Sequence, residues 1–247
     1  MVGEIKLEPL PFDEAIRYWQ GKIPMTAEEF YALADELRAR AFTVSGVTRM
    51  DMIEGVKAAV ESALKNGITL ADFKKAIADI IEAQGWKDRR VDTIFRSNMQ
   101  SAYNAGRYKQ QTDPDVLKQR PYWQYVAVMD ERTRPEHAAL DGKVFPADDP
   151  FWGTWYPPNG FNCRCTVRTL SESEMDELGL KSETADPTGR LFEPVDPETG
   201  VKMPPRLLVP DPGWSINQAK QAWVPDLSKY PDDLRRRFEQ EQQARSV

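Results

Sequence analysis

Histidine and cysteine are nearly missing: 247 residues contain one imidazole, His137, and two thiols, Cys163 and Cys165. So few soft or nucleophilic side chains exclude a disulfide-stapled secreted domain, an array of zinc fingers and any catalytic apparatus that needs two histidines. No apolar run approaches the roughly 20 residues that cross a bilayer, so no membrane association is expected. The opening MVGEIKLEPLPF lacks the basic start and apolar stretch of a secretion signal. Folding in cytoplasm is therefore expected, where thiols stay reduced and available as ligands. A glycine-rich phosphate loop is also lacking, which excludes a motor ATPase of the P-loop type. Proline is unevenly withheld: none lies between Pro24 and Pro114, whereas nine of the 19 fall between Pro187 and Pro231. That distribution predicts a helical region, a mixed middle and an extended C-terminal arm, with boundaries at 1–112, 113–180 and 181–247.

Charge is uneven as well. The net charge is -6, yet residues 1–170 are almost balanced, with 23 basic and 24 acidic side chains, while 171–247 hold 10 and 15. Within 86–134, 10 basic residues meet 6 acidic ones. Overall acidity argues against a protein that coats nucleic acid along its whole surface, and leaves a local basic contact open.

Periodicity places four helices first. Thr26 and Glu29 form a capping box ahead of Phe30, Leu33, Ala34, Leu37 and Ala41 at helical spacing. A second helix from about Thr48 turns Ile53, Val56, Val60 and Leu64 inward and ends at Asn66-Gly67, and a third runs from Thr69 to Gly85 on Phe73, Ile77, Ile80 and Ile81. The fourth spans Asp88 to about Gln111. One of its faces carries Val91, Ile94, Phe95, Ala102 and Ala105, and another Arg96, Gln100, Tyr103, Asn104 and Arg107. That polar face is either solvated surface or a contact with phosphate, protein or the next domain. Beyond Pro121 the period becomes two. Tyr122 to Met129 reads as a strand, Thr133 and Glu136 as the cap of a short helix ending at Asp141-Gly142, and Lys143 to Phe145 as a short strand. Pro146 to Gly160 reads as aromatic loop and Phe161 to Leu170 as a strand. The fold class is α+β, with the helices packed on a small mixed domain.

Chemistry concentrates in Cys163-Arg164-Cys165. On a strand, residues i and i+2 share a face, so both sulfurs can converge on one atom, whereas a disulfide between them would close a very tight ring. A shared zinc ion is one reading, with His137 as third ligand and Asp141, four residues on, as fourth ligand or as orienter of the imidazole. Two buried core thiols and an ordinary helix histidine are the other. The zinc-deaminase pattern fails, since His137-Ala138-Ala139 lacks the glutamate, and zinc proteases need two histidines on one helix. Phe151, Trp152, Trp155, Tyr156 and Phe161 form either a small core over this strand or exposed anchors for a partner. Arg164 and Arg168 should point away from the cysteine face and, with Arg132 and Arg134, either contact phosphate or pair with local acids. Pro231 to Ala244 reads as a terminal helix carrying Arg235-Arg236-Arg237.

The segments RSNMQSAYNAGR (96–107), DERTRPEHAALDGKVF (130–145), DDPFW (148–152) and PPNGFNCRCTVRTLS (157–171) together resemble the phage Mu F-like minor head proteins, also called head morphogenesis proteins. The likeness covers about residues 85–171. It implies a non-enzymatic virion protein of a tailed phage or prophage that joins the head in the host cytoplasm. The implied partners are the portal and the major capsid or scaffolding protein, with a role in DNA packaging or delivery. It also implies a Zn2+ site at His137, Cys163 and Cys165. Two other functions stay open on the residues: a zinc-dependent hydrolase or nuclease-like enzyme, and an accessory that touches double-stranded DNA through Arg96, Arg107, Arg132, Arg134, Arg164 and Arg168.

Overall fold

The computed structural model describes residues 12–33, 35–195, 201–223 and 236. Helices α1 (Asp13–Gln20), α2 (Ala27–Ala32), α3 (Asp35–Arg38), α4 (Met50–Asn66), α5 (Leu70–Ala76), α6 (Ala78–Gln84) and α7 (Asp88–Gln111) come first. Between them, strands β1 (Ile23–Pro24) and β2 (Ala41–Phe42) pair in parallel. The middle holds α8 (Pro114–Gln119), β3 (Tyr122–Val126), α9 (Pro135–Ala138), β4 (Val144–Pro146), α10 (Phe151–Trp155), β5 (Thr166–Leu170) and α11 (Glu172–Glu177). Strands β6 (Leu191–Phe192) and β7 (Arg206–Leu207) and helix α12 (Gln218–Trp223) follow. The class is mixed α+β, as expected.

Local chemistry accounts for most boundaries. Gly67 ends α4 and Gly85 ends α6, both in the left-handed conformation that lacks a Cβ penalty. The capping box of Thr26 and Glu29 is present, but the helix it opens stops at Leu33, whose backbone is extended. Ala41, expected on that helix, instead pairs with Ile23 beside Phe42 and Pro24. The single helix expected over 69–85 is bent at Ile77 (φ -114°), which stays hydrogen-bonded across the break and buries its side chain. Helix α1 escapes the periodicity reading altogether, although Ala15, Tyr18 and Trp19 bury one face of it. It crosses α7 at Gly106, where a Cβ would come within 2.6 Å of the Ala15 nitrogen.

The polar face of α7 has a definite task. The sheet order is β4-β3-β5, antiparallel throughout, so β5 is an edge strand with outward carbonyls. Gln100 and Asn104 both donate to the Cys165 carbonyl (3.0 and 3.3 Å), Gln111 donates to that of Val167 (2.9 Å), and Arg120 donates to that of Thr169 (2.9 Å). Amide side chains thus occupy the positions a further strand would take, which blunts the edge. Of the two alternatives left by the sequence, contact with the neighbouring structure holds for Gln100, Asn104 and Arg107, the last donating to Thr166 Oγ1 (2.6 Å).

A single buried apolar cluster runs from α1 to α12, across positions 112–113 and 180–181. The stretch read as an aromatic loop contains α10, and Phe151, Trp152, Trp155 and Tyr156 sit in that main cluster. Phe161 is exposed and rests edge-on against Trp214. The C-terminal segment, expected to extend away, packs on its own chain as far as it is described. Leu208, Trp214 and Ala219 are buried, and Trp223 Nε1 donates to the Ala105 carbonyl (2.9 Å). Proline spacing misled here because burial depends on single anchors rather than a regular stripe. The expected terminal helix lies outside the described residues apart from position 236, as does Asp196-Pro197.

Candidate metal centre

His137 is reached from the short α9, which Pro135 opens with its preset φ. Thr133 is not the cap. Arg134 holds that position, while the Thr133 hydroxyl donates to the Val128 carbonyl and Glu136 pairs with Arg206 (3.1 Å). The two cysteines lie just ahead of β5 rather than on it, because Phe161-Asn162 forms a turn with Asn162 at φ 57°. Polar residues of α7 hold that turn: Ser97 Oγ accepts from Asn162 N (3.0 Å) and Thr93 Oγ1 from Asn162 Nδ2 (3.1 Å). With the Cys165 carbonyl fixed by Gln100 and Asn104, the loop is pinned at both ends.

This brings the three donors together. His137 Nδ1 lies 3.7 Å from Cys163 Sγ and 3.4 Å from Cys165 Sγ, and the three donor atoms all fall within 4.8 Å of one another. Tetrahedral zinc, with bonds of about 2.0 Å to nitrogen and about 2.3 Å to sulfur, sets a nitrogen–sulfur edge of about 3.5 Å, so these donors fit the ion. His137, Cys163 and Cys165 are 2%, 3% and 2% exposed. The thiols titrate as a pair. A hydrogen bond from Cys165 holds Cys163 well below the ordinary thiol range, helped by His137 and by the backbone N–H of Asn159. That same bond, with burial and the charge on Cys163, raises Cys165. The lowered thiol is the more readily ionised of the two, and the thiolate is the form in which cysteine ligates a metal.

Asp141 stands apart from this group. Helix α9 ends at Ala138, so the fourth residue beyond His137 is not on its face. Asp141 is exposed, and its Oδ1 accepts from Ala127 N (2.8 Å), fixing the end of β3. Nor does it orient the imidazole, whose Nε2 is buried without a hydrogen-bond partner among the described residues, beside the perpendicular Trp155 ring. The arginines divide. Arg164 forms a two-pronged pair with Asp130, which Arg132 also approaches (3.6 Å), and Arg134 pairs with Asp211 (2.8 Å). Arg96 and Arg168 are exposed and away from the cluster.

Three structural partners of the site were not singled out in the sequence. Asn159 is fully buried, accepts from the Tyr125 hydroxyl (3.0 Å) and from Asp211 N (3.1 Å), and donates to the Thr154 carbonyl (3.2 Å). Ser97 and Ser101 join Asn104 in a stripe of small polar residues at helical spacing, a signal that was legible. The C-terminal segment closes over both halves of the site: Arg206 meets Glu136 of α9, Asp211 meets Arg134, and Thr188 Oγ1 accepts from Trp155 Nε1 (2.9 Å).

A buried histidine-cysteine cluster thus links a short helix to the loop ahead of an edge strand, within the main apolar core. Residues 54–168, which contain the whole cluster, match the model of the family described as Phage Mu protein F like protein. The chain is 39% identical over 253 residues to the Putative capsid assembly protein F of Escherichia phage Mu, covering 88% of this chain and 56% of that protein. It is 35% identical over 226 residues to the Mu-like prophage FluMu F protein of Haemophilus influenzae, covering 81% and 54%. An uncharacterized protein of Methanocaldococcus jannaschii is 33% identical over 102 residues, 41% of this chain and 14% of that one. The chain thus spans about half the length of the phage relatives. No solved structure matches it.

Proposed function

We propose that the chain is a structural head-morphogenesis protein of a tailed bacteriophage or prophage, acting in capsid assembly near the portal. The observation that carries this reading is the similarity, over most of the chain, to a phage protein named for capsid assembly. Its partners on this reading are the portal and the major capsid or scaffolding protein, and its destination is the virion head. Particles from the phage or prophage that encodes it contain the protein, and deletion of its gene abolishes DNA-filled heads. Intact infectious particles without it contradict the reading.

Within that role, His137, Cys163 and Cys165 hold a zinc ion as a staple. Bound zinc contributes folding free energy by tying α9 to the loop before β5 and supplies no redox chemistry. Burial of all three donors supports stapling over hydrolysis, because a hydrolytic centre keeps a coordination position open to substrate and water. Ion pairs at Arg132, Arg134 and Arg164 likewise support a structural use of those arginines over phosphate contact. Loss of metal on this account lowers the melting temperature and leaves no hydrolytic activity to lose, which calorimetry and nuclease or peptidase assays with and without chelator read separately.

A further inference from the structure

A cleft of about 750 Å³ opens between the β1–β2 pair and the first half of α7, which lines it with Thr93, Ile94, Ser97 and Ser101. Its walls are apolar, with Phe30 and Tyr31 from α2, Phe42, Ile94, Phe161 and Trp214. Its charged lining has one sign. Arg38, Lys87, Arg89 and Arg90 line it, with Lys22 buried behind them against the Ala39 and Ala41 carbonyls, and among the described residues no aspartate or glutamate does, in a chain whose net charge is -6.

Two observations set this cleft apart from ordinary surface. The carboxylates of the first turns of α7 are turned away from it: Asp88 and Asp92 both pair with Lys74 (3.0 and 2.8 Å). Lys87 and Arg89 are exposed and have no ion pair among the described residues, and they stand at a helix N-terminus, where positive side chains add to the positive end of the dipole. That charge is left to water and counter-ions, and an anionic partner can displace them. The second observation is α2. Six residues long, it buries no side chain, and it is tied down by its capping box and by Arg38, which donates to the Phe30 and Tyr31 carbonyls. Tyr31 is 63% exposed. A short helix is marginal without a packed face, and the aromatic side chains of this one face the cleft.

We propose that the cleft is a docking groove for an acidic peptide segment with bulky apolar anchors, contributed by a partner protein. The apolar walls take the anchors, and the cationic rim takes the carboxylates and sets register and encounter rate. Packing against the anchors gives α2 the buried face it lacks in the free chain. The groove adjoins the turn that leads to Cys163, since Thr93, Ser97 and Phe161 line it, but none of the three candidate metal donors does.

The test selects peptides about a dozen residues long from a random displayed library against the full chain. The variants Lys87→Glu/Arg89→Glu and Tyr31→Ala serve as comparisons; the first should melt no lower than the parent, because acidic side chains suit a helix N-terminus, and the second should stay close to it, because Tyr31 is 63% exposed. The expected peptides are rich in Asp and Glu, with Leu, Phe or Trp anchors. They weaken by about tenfold or more on both variants and weaken further as salt rises. The charge-reversed variant loses the acidic bias in the peptides it selects. Peptides without acidic bias, or peptides that bind the variants as well as the parent, overturn the proposal. So does variant-sensitive binding of an oligothymidylate with no peptide enriched, which would assign the groove to nucleic acid.

Discussion

Replacing Gln111 with leucine tests the sealing of the β5 edge at its most buried bond. Gln111 is 7% exposed, donates to the Val167 carbonyl and accepts from the Tyr156 hydroxyl, both at 2.9 Å. Leucine preserves much of the volume and leaves both partner groups buried, the hydroxyl retaining only a long contact to the Asn104 carbonyl (3.4 Å). A stranded buried group costs about 1–3 kcal/mol, so Gln111→Leu should destabilise by about 2–5 kcal/mol. At about 2–4 °C per kcal/mol for a chain of this size, the melting temperature falls by about 4–20 °C. Tyr156→Phe removes one of the stranded groups. In the double variant the penalties should therefore sum to at least about 1 kcal/mol less than the single values added together. Urea unfolding of the four proteins measures this. Additivity within about 0.5 kcal/mol, or a Gln111→Leu loss below that, refutes the claim that the α7 amides hold the edge.

Gly106→Val should separate α1 from α7, because the first added carbon already meets the Ala15 backbone; the expected loss is about 1–3 kcal/mol or more, read by thermal unfolding. Asp141→Ala removes the acceptor for Ala127 N and should lower stability by about 1–2 kcal/mol while leaving metal content unchanged; a fall in bound metal would restore Asp141 as a ligand. The Glu174 carboxyl is held down to about 2 by Arg120 and by the Ser171 backbone N–H, so its contribution is complete above the ordinary value of 4.5 and is lost as pH falls toward 2. The difference in melting temperature between the parent and Glu174→Gln should accordingly shrink over that interval, and a difference that stays constant contradicts the pairing.

The sequence makes local signals legible and long-range partners illegible. Residues 88–111 read correctly as one helix because no proline or glycine cap interrupts them, and Gly67 and Gly85 mark real helix ends. Ala41 was assigned to a helix because its spacing from Leu37 fits; its pairing with Ile23 depends on a contact across the chain that no periodicity encodes. Thr133 looked like a cap, but Asp130 and Val128 compete for its hydroxyl. The candidate donor set shows the same division. His137, Cys163 and Cys165 are the only residues of their kinds and could be grouped by scarcity, and the fold does bring them together. Asp141 fits the spacing of a further helical turn, but the helix ends at Ala138 with Ala139 as its cap. The C-terminal segment was judged by proline density, whereas Arg206, Asp211 and Trp214 anchor it individually.

The staple itself is tested most directly by metal content measured alongside stability. Purified protein should carry one zinc per chain by elemental analysis, lose it in Cys163→Ser and Cys165→Ser, and melt at a markedly lower temperature after chelation. A chain that binds no stoichiometric metal, and whose melting temperature is indifferent to chelator, would contradict the account.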